Sequence, residues 1–417
     1  MKGRRTAIVV LSCLLVLVAC TGEPELTASP APTVTMLPAV TPEPPKEEGM
    51  EAVGWRQIVA RDERVATSLR DVVATGPDTA WAVGYYADAE DEPAEGVLLR
   101  VDGGRWRVVE NMSERFPAAI DTPLEGIDAD GPNSVWAVGN ARGDEDAPFA
   151  LHWDGRVWRA FTPLGTPLGK ATGYALSDVA VDGKRAVLIG SRSVLSGGDN
   201  YETPVLLSWD GTRFGKQELK QAGSFAAVDS GAGHTWIGGS RTRTGCAGSR
   251  PAIWHRESFR SSPVEMPLPE LGTGAVRSIW QNSPSDVWAV GERGTQVLCR
   301  ESGSGRLLVL HWDGTSWKQV ELPDWQGALH SVTALGPDDV WVVGTNDVWE
   351  YGMPQASRIM LLHYDGRTWT RLYLNVGGPV SEDWNDYALA RVPGTSTLLL
   401  AGSANCCDGQ RAVIYRH

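Results

Sequence analysis

The sequence predicts an all-β protein built from seven repeated four-stranded sheets, and two observations carry this prediction. The first is a W-A-V-G element, which recurs in seven copies from TAWAVG (79–84) to TLLLAG (397–402). The second is a D-G-x-x-W element that follows several of these copies, as in HWDGRVW (152–158) and HWDGTSW (311–317). A period of about 50 residues with short strands and no helical periodicity is typical of propeller blades. We therefore expect a seven-bladed β-propeller.

The sixth copy shows how each element follows from its residues. Pro337 presets φ in a first turn, whereas Gly366 supplies a residue that tolerates positive φ in a second. The apolar stretches between the turns have the length of single strands. The predicted strands are, in chain order, Leu329–Leu335, Val340–Gly344, Ile359–Tyr364 and Trp369–Leu372.

The N-terminal stretch GWRQIV (54–59) matches the fourth strand of a blade, but no blade precedes it. The seventh copy has only three strands before the chain ends, in ALARV (388–392), TLLLAG and RAVIYRH (411–417). We therefore expect the N-terminal strand to complete the last blade, which would close the ring and pair two exposed sheet edges. If the membrane tether enters this strand at the end of the propeller that has the tight turns, the opposite end, with the long loops, would point away from the membrane.

The first twenty residues are typical of an export signal. Lys2, Arg4 and Arg5 precede an apolar run that ends in Leu17-Val18-Ala19-Cys20. This ending resembles the lipobox of bacterial lipoproteins, which implies cleavage after residue 19 and lipidation of Cys20. An ordinary secretory signal with a chance cysteine is the alternative. We expect a signal peptide at 1–19, the lipidated cysteine and a Pro-rich linker at 20–48, and the propeller at 49–417.

Charge limits the choice of partners. The chain has a formal net charge of −13 and a pI near 5.1, which argues against nucleic acid and against adhesion to anionic lipid. No second apolar run has the length of a membrane span. We expect a monomer held on the extracytoplasmic face of the cell membrane through its lipid anchor only.

The pattern W-[AV]-V-G followed by L-H-[WY]-D-G-x-x-W resembles the repeats of secreted bacterial propellers of a kelch-like and Asp-box-like kind. The resemblance covers residues 55–417. Asp and Gly are adjacent here, unlike in an Asp-box, and among the W-A-V-G elements only the fourth carries the Gly pair of kelch blades, at Gly238-Gly239. The resemblance therefore implies a propeller fold and transfers no functional residue.

Most of the conspicuous residues belong to the repeat. Trp81, Trp136, Trp236, Trp288 and Trp341 share one position, which indicates packing between blades. His152, His311 and His363 share another, so they lie in separate blades and form no metal triad. The other four histidines lack ligand spacing, and no nucleophile or phosphate-binding motif occurs. We expect no catalytic residue, no metal site and no cofactor, although a pair of carboxylates remains open because Asp and Glu are abundant.

Variation concentrates in the loops between second and third strands, so we place function on that face. Exposed aromatic residues there would suit stacking on sugars or peptides, and the alternative is that they fold back over the loop bases. The candidates in the loops are Tyr85, Tyr86, Tyr201, Trp349 and Tyr351, and those in the blade connections are Trp325 and Trp384.

The loops also separate charge. Acidic residues occupy the loops of the first two blades, within 85–95 and 140–148, whereas arginines occupy the fourth and fifth. The arginine candidates for binding are Arg241, Arg243 and Arg300. Such a dipolar rim could orient a partner, and solvated loop charges are the alternative. Calcium at 88–95 is conceivable, but the ligand spacing of an EF-hand is missing.

Four cysteines remain in the propeller region. Cys246 and Cys299 lie in equivalent loops of neighbouring blades, which favours an inter-blade disulfide in an exported protein. Cys406 and Cys407 are adjacent, and they could form a vicinal disulfide, pair elsewhere or provide a metal or redox site.

These observations favour a non-catalytic binding or scaffolding lipoprotein whose long-loop face engages a protein or glycan. The alternative is a hydrolase or lyase acting on polysaccharide, with carboxylates on the same face. Convergence of two or more carboxylates with an Arg or Tyr near the axis would favour the enzyme.

Overall fold

The fold was analysed in a computed structural model of the chain, which divides into two compact units, Met1–Glu48 and Gly49–His417. All described residues belong to the second unit and begin at Met50. No helix that could span a membrane occurs among them. The segments of 50–417 outside the description are 60–67, 87–94, 103–104, 110–115, 117–122, 142–146, 163–172, 197–198, 220–222, 243–247, 295–304, 347–348, 351–352, 355–357, 375–386 and 407–408.

The described residues form seven blades, each built on four antiparallel strands, and contain no helix. The first strands of neighbouring blades contact one another all the way round, including the seventh with the first, so they enclose the axis. The predicted all-β, seven-bladed propeller is therefore confirmed.

The first four blades follow the chain without a break. Each takes its strands in sequence order from the axis outward. The strands are β3 (Ser68–Gly76), β4 (Thr79–Tyr86), β5 (Glu95–Asp102) and β6 (Arg105–Val108); β7 (Leu124–Ala129), β8 (Val135–Ala141), β9 (Ala147–Trp153) and β10 (Trp158–Phe161); β11 (Tyr174–Asp182), β12 (Arg185–Ser196), β13 (Asp199–Trp209) and β14 (Phe214–Glu218); and β15 (Gly223–Gly231), β16 (His234–Thr242), β17 (Ser249–Arg256) and β18 (Val264–Glu265).

The last three blades include two strands from the N-terminal end of the described chain, β1 (Met50–Glu51) and β2 (Arg56–Val59). A small hairpin, β25 with β26, lies in the sixth-blade loop. The remaining strands are β19 (Gly274–Ser283), β20 (Asp286–Arg293), β21 (Arg306–Trp312) and β22 (Trp317–Gln319); β23 (Ala328–Gly336), β24 (Asp339–Asn346), β25 (Trp349–Glu350), β26 (Met353–Pro354), β27 (Arg358–Tyr364) and β28 (Trp369–Leu374); and β29 (Ala388–Arg391), β30 (Leu398–Cys406) and β31 (Gly409–Arg416).

The N-terminal strands contact the last two blades. β2 pairs antiparallel with β31, with Arg56 opposite Arg416, and is the outer strand of the seventh blade. β1 pairs parallel with β28 and adds a fifth strand to the sixth blade, which the sequence did not predict. Between them, the Trp55 ring lies 5.9 Å from Trp341 of the sixth blade and 5.2 Å from His417 of the seventh.

A β-bulge recurs in the first strand of the first six blades, as between Leu176 and Asp178. Next to this bulge, a backbone carbonyl of the first strand lies close to the glycine of the W-A-V-G element. A Cβ on Gly190 would lie 1.9 Å from the Ala175 carbonyl oxygen, and one on Gly344 would lie 2.2 Å from that of Ala328. The close approach of the two strands therefore explains why this repeat position is glycine.

Tight turns form one end of the propeller, which we call the turn face. In the sixth blade, Asp365 Oδ1 accepts hydrogen bonds from the backbone N–H groups of Arg367 and Thr368, both within 2.9 Å. Gly366 adopts a φ of +85° between them. The opposite end, where second strands run into third strands, is called the loop face.

The core consists of apolar layers between neighbouring blades. One layer joins Trp136 and Val138 of the second blade to Leu176 and Leu188 of the third. The tryptophans of the W-A-V-G element are buried, and those of the second, fourth, fifth and sixth blades stack on third-strand histidines, with ring centroids 4.4 Å apart for Trp136 and His152. In the first blade, Arg100 takes this place over Trp81. The repeated Trp residues therefore pack the blades together, as their repetition predicts, and the third-strand histidines cover their rings.

Candidate functional site

Four aspartates lie on the first strands around the propeller axis, and we call them the axial carboxylates. They are Asp71, Asp128, Asp178 and Asp229, from the first to the fourth blade. Asp71 and Asp178 follow the β-bulge directly, whereas Asp128 and Asp229 lie two positions further along their strands. The bulge therefore places acidic side chains at two levels along the axis.

Each axial carboxylate bonds to the backbone of the following blade. The acceptor is Oδ2 in every case, and the four distances lie between 2.6 and 2.8 Å. The donors are the N–H groups of Ile127, Val181, Val228 and Gln281, respectively. These bonds join the first five blades into a continuous chain.

Serines continue this arrangement in the fifth and sixth blades. Ser278 Oγ accepts from Val332 N at 3.2 Å, and Ser331 Oγ accepts from Leu389 N at 3.0 Å. Both serines follow the bulge, as Asp71 and Asp178 do. At the corresponding register positions the seventh blade has Ala388 and Ala390. Six of the seven junctions between blades thus have a polar side chain that bonds to the next blade.

Burial raises the pKa of all four axial carboxylates. The pKa of Asp71 rises to about 7 and that of Asp229 to about 6, although both accept backbone hydrogen bonds that favour the ionised form. The pKa values of Asp128 and Asp178 also rise well above the usual range, first because of burial and then because of repulsion from other axial carboxylates. The axial carboxylates are therefore close enough to influence one another's ionisation.

One cation extends toward the axial carboxylates from the seventh blade. The charge of Arg391 lowers the pKa of Asp229, opposing the effect of burial, and its guanidinium lies 5.3 Å from the Trp280 ring centroid. Carboxylates and an arginine therefore converge near the axis. However, both oxygens of Asp71 and of Asp178 already accept backbone N–H groups. The arrangement can store protons, but its principal contacts join the blades.

The turn face contains histidine pairs. His311 Nε2 lies 2.8 Å from Asp286 Oδ1 in the fifth blade, and the sixth blade has an equivalent His–Asp pair. In the fourth blade, His234 replaces the aspartate, and its Nδ1 lies 3.0 Å from His255 Nε2. Burial lowers the pKa of His255, and the charge of His234 lowers it further. Across the described residues, no group of three or more His, Cys, Asp or Glu side chains could hold a metal ion.

A cleft of about 270 Å³ lies between the seventh and first blades. Its lining includes Pro77 and Asp78 of a tight turn, Trp106, and Arg56 of the closing strand. Asp78 is the only carboxylate among the lining residues. A glycosidase of the usual kind needs two carboxylates, so this cleft lacks the required pair.

The loop face has arginines at repeated positions. Two residues after the W-A-V-G glycine, the third, fourth and fifth blades have Arg192, Arg241 and Arg293. Directly opposite, on third strands, Arg250 faces Arg241 and Arg306 faces Arg293. Like charges facing each other across a sheet are destabilising, so these pairs require counterions.

Glutamates at the ends of fourth strands provide counterions, and so does Asp324 in a blade connection, which contacts Arg306 Nε at 3.3 Å. Glu265 contacts Arg241 Nε at 3.0 Å and Arg250 Nη2 at 2.7 Å. Glu218 contacts Lys216 at 2.7 Å and Arg192 at 3.8 Å. Each glutamate is therefore shared by two cations.

Three aromatic candidates are described. Tyr85 is half-buried, and the Arg70 guanidinium lies 5.6 Å from its ring. Tyr86 packs against the apolar layer between the seventh and first blades. Trp325 packs against the layer between the fifth and sixth blades, and Arg371 covers its ring at 4.9 Å. Tyr86 and Trp325 thus contact the core, and Tyr85 and Trp325 contact a neighbouring cation.

The other predicted residues fall outside the described side chains. The strands β13, β25 and β30 contain Tyr201, Trp349 and Cys406, of which only the backbone is described. The residues that lie wholly outside the description are Cys20, Arg243, Cys246, Cys299, Arg300, Tyr351, Trp384 and Cys407, together with the proposed calcium segment 88–94.

Sequence reasoning missed the axial carboxylates, because it assigned acidic residues to turns. A detectable signal was present, because an aspartate interrupts the apolar first strand in LRDVVA (69–74) and in LSDVAV (176–181). A charged residue inside a strand whose both sides are buried requires a partner. The arginines at the loop bases could also have been found from the sequence, because alignment of the copies places them two residues after the W-A-V-G glycine.

Comparisons with known proteins show the fold and no family. No protein-family model matches the sequence, and no curated protein matches it. Among solved structures, the chain is similar to YCF48 bound to D1 peptide, with a TM-score of 0.51 and 13% identity over 88% of this chain and 97% of that one. It is also similar to the polysaccharide lyase Uly1, with a TM-score of 0.51 and 8% identity over 90% and 93% of the two chains. A Trypanosoma rangeli sialidase matches with a TM-score of 0.43 and 12% identity over 70% of this chain and 53% of that one.

Proposed function

We propose that this protein is a non-catalytic binding module that engages a protein or glycan through its loop face. It is held on the extracytoplasmic side of the cell membrane by lipid on Cys20. The observation that carries this proposal is what each kind of ionisable side chain contacts in the described part of the chain. The axial carboxylates bond to neighbouring blades and the histidines of the repeated third-strand position stack on tryptophans, whereas arginines recur at the described bases of the variable loops, where Arg241 and Arg250 share one glutamate.

A rigid ring with variable loops at one end suits recognition, because the scaffold positions the loops without rearranging. The YCF48 structure, solved with a D1 peptide, is a precedent for ligand binding on this architecture. The half-buried Tyr85, beside Arg70, provides an amphipathic contact at the same face.

Affinity capture from membranes of the source cell would test this proposal. The purified full chain is compared with Trp349→Ala and Trp384→Ala variants, which alter the loop region, and with an Arg156→Gln/Arg367→Gln control in turn-face turns. We expect one partner to be captured by the wild type and the control and to be reduced with the loop variants. Equal capture by all four proteins would contradict binding through the loop face.

The convergence of axial carboxylates with Arg391 supports one second candidate, a polysaccharide hydrolase or lyase. This activity would release new reducing ends or unsaturated sugars from a polysaccharide panel. It would also be lost in an Asp128→Asn variant that folds normally. Turnover that survives this substitution would assign the activity elsewhere.

A further inference from the structure

We infer that the loop face binds a linear acidic polysaccharide, of the polyuronate class, along an arc of arginines that runs from the third to the seventh blade. This inference rests on the proposed function and adds to it the chemical class of the ligand.

The first step of the argument is the register. The second-strand position that holds Arg192 in the third blade also holds Arg241 and Arg293 in the next two. The facing third-strand position holds Arg250, Arg306, Arg358 and Arg411 in the fourth to seventh blades. In the first blade, this position holds Glu95 instead. Cations therefore recur at one register position along an arc from the third to the seventh blade.

The second step concerns what these groups recognise. All seven residues of the arc are arginine rather than lysine, and a guanidinium binds planar carboxylates through two donors. The protein's own carboxylates already occupy some of these donors, as Glu265 does with Arg241 and Arg250. A polyuronate presents one carboxylate on each sugar, so it offers the same chemical group to the arginines.

The third step separates a glycan from a protein partner. Protein interfaces need a central apolar anchor surrounded by a polar rim. In the part of the chain that the structure describes, the exposed large apolar residues are Val53, Ile58, Val108, Val157 and Val264. They are single residues on outer strands, their edges or a turn-face turn, and one of them, Val264, precedes the Glu265 that contacts Arg241 and Arg250. A polymer recognised by repeated charge fits this surface better than an acidic protein segment does.

The fourth step is the electrostatic setting. The chain carries a net charge of −13, so a polyanion is repelled except where the arc provides local attraction. Binding should therefore be specific to this face and sensitive to salt, since the screening length falls to about 8 Å at about 0.15 M.

The test measures binding of the purified full chain to polygalacturonate, with fully methyl-esterified polygalacturonate as the uncharged match. The variant is Arg192→Gln/Arg250→Gln/Arg306→Gln, whose side chains are 44%, 40% and 59% exposed. Their former partners remain compensated or hydrated: Glu218 keeps Lys216, Glu265 keeps Arg241, and Asp324 is 71% exposed. The control is Arg156→Gln/Arg213→Gln/Arg367→Gln, which removes the same charge from turn-face turns.

We expect polygalacturonate to bind and its methyl ester not to bind. The loop-face variant should bind at least about tenfold more weakly, with a shallower salt dependence, and the control should change less than about twofold. Equal melting temperatures show that both variants remain folded. Absent binding at low salt, or equal weakening by the two triple variants, would overturn the inference.

Two comparators decide the class of ligand. Poly-L-glutamate or single-stranded DNA binding more tightly than polygalacturonate would overturn the polysaccharide assignment in favour of an acidic peptide or nucleic acid. The proposed function fails separately. If the captured membrane partner is still lost with the loop variants while polygalacturonate does not bind, the binding function stands and only the ligand class is wrong.

Discussion

Replacing an axial carboxylate should weaken the propeller more at acidic than at alkaline pH. Asp71→Ala removes the acceptor for the N–H groups of Val72 and Ile127, both of which are buried. An unsatisfied buried N–H costs about 1–3 kcal/mol, so we expect a loss of about 2–5 kcal/mol from the two groups together. This part of the effect does not depend on pH.

The carboxylate itself adds a pH-dependent part. Its pKa is raised from 3.8 to about 7, so the folded state binds more protons than the unfolded state between these values. The free energy of unfolding therefore falls as pH rises through this window. Between about pH 5 and pH 8, linkage gives a decrease of about 2.5 kcal/mol for the wild type, and the effective dielectric of protein interiors, which exceeds that of a dry medium, should reduce it to about 1–2 kcal/mol. Asp71→Ala lacks this decrease.

The assay is urea unfolding followed by fluorescence of the tryptophans at about pH 5 and pH 8. Relative to the wild type, Asp71→Ala should lose about 1–2 kcal/mol more at the lower pH. Ser331→Ala is the matched control, because it removes one equivalent inter-blade acceptor that does not titrate. It should cost about 1–2 kcal/mol at both pH values. A loss for Asp71→Ala that is independent of pH, or larger at pH 8, would refute the reasoning.

Three further perturbations test other contacts. Trp55→Ala removes a half-buried ring beside Trp341 and should lower the free energy of unfolding by about 2 kcal/mol; an unchanged melting curve would be inconsistent with closure through this segment. Arg256 is 1% exposed, and Arg256→Met leaves the backbone carbonyls that accept from its guanidinium without a donor. Chemical denaturation should show a loss of about 2–4 kcal/mol in the free energy of unfolding, and wild-type stability would contradict a structural role for this guanidinium. His234→Asp replaces a neighbouring imidazole with a carboxylate, so NMR titration should show a higher pKa for His255 and the variant should gain stability only below that pKa; an unmoved His255 titration would count against the pair.

The blade architecture could be predicted from the sequence because each local signal agrees with the global fold. The Asp365-Gly366 turn forms as its residues require, and the tryptophans at the repeated second-strand position are buried as their repetition indicates. Hydrophobic pattern, turn chemistry and period all indicate the same four strands per blade, so no long-range contact is needed to derive them.

Contacts between blades could not be derived in the same way. β1 is a two-residue strand with no apolar alternation, and its pairing with β28 depends on where the closing segment passes the sixth blade. The axial carboxylates are another case. An aspartate in an apolar strand signals a buried partner, but identifying Ile127 N as the partner of Asp71 requires the geometry of the neighbouring blade. The repeat defines a blade, whereas the relation between blades is a property of the ring.

That relation is not uniform around the ring. At six junctions an aspartate or serine bonds to the backbone of the next blade, but the seventh blade has Ala388 and Ala390 where those side chains would lie. The junction between the last and first blades is therefore the one without this support. The same last blade takes its outer strand, β2, from the N-terminal segment, which also pairs with the sixth blade through β1. β2 of the seventh blade is followed in the chain by β3 of the first blade, so the chain itself links these two blades. An apolar layer that includes Leu69, Val72, Ala388 and Ile414 also packs between them. Apolar packing therefore provides the cohesion at this junction, whereas polar contacts at the axis add to it at the other six junctions.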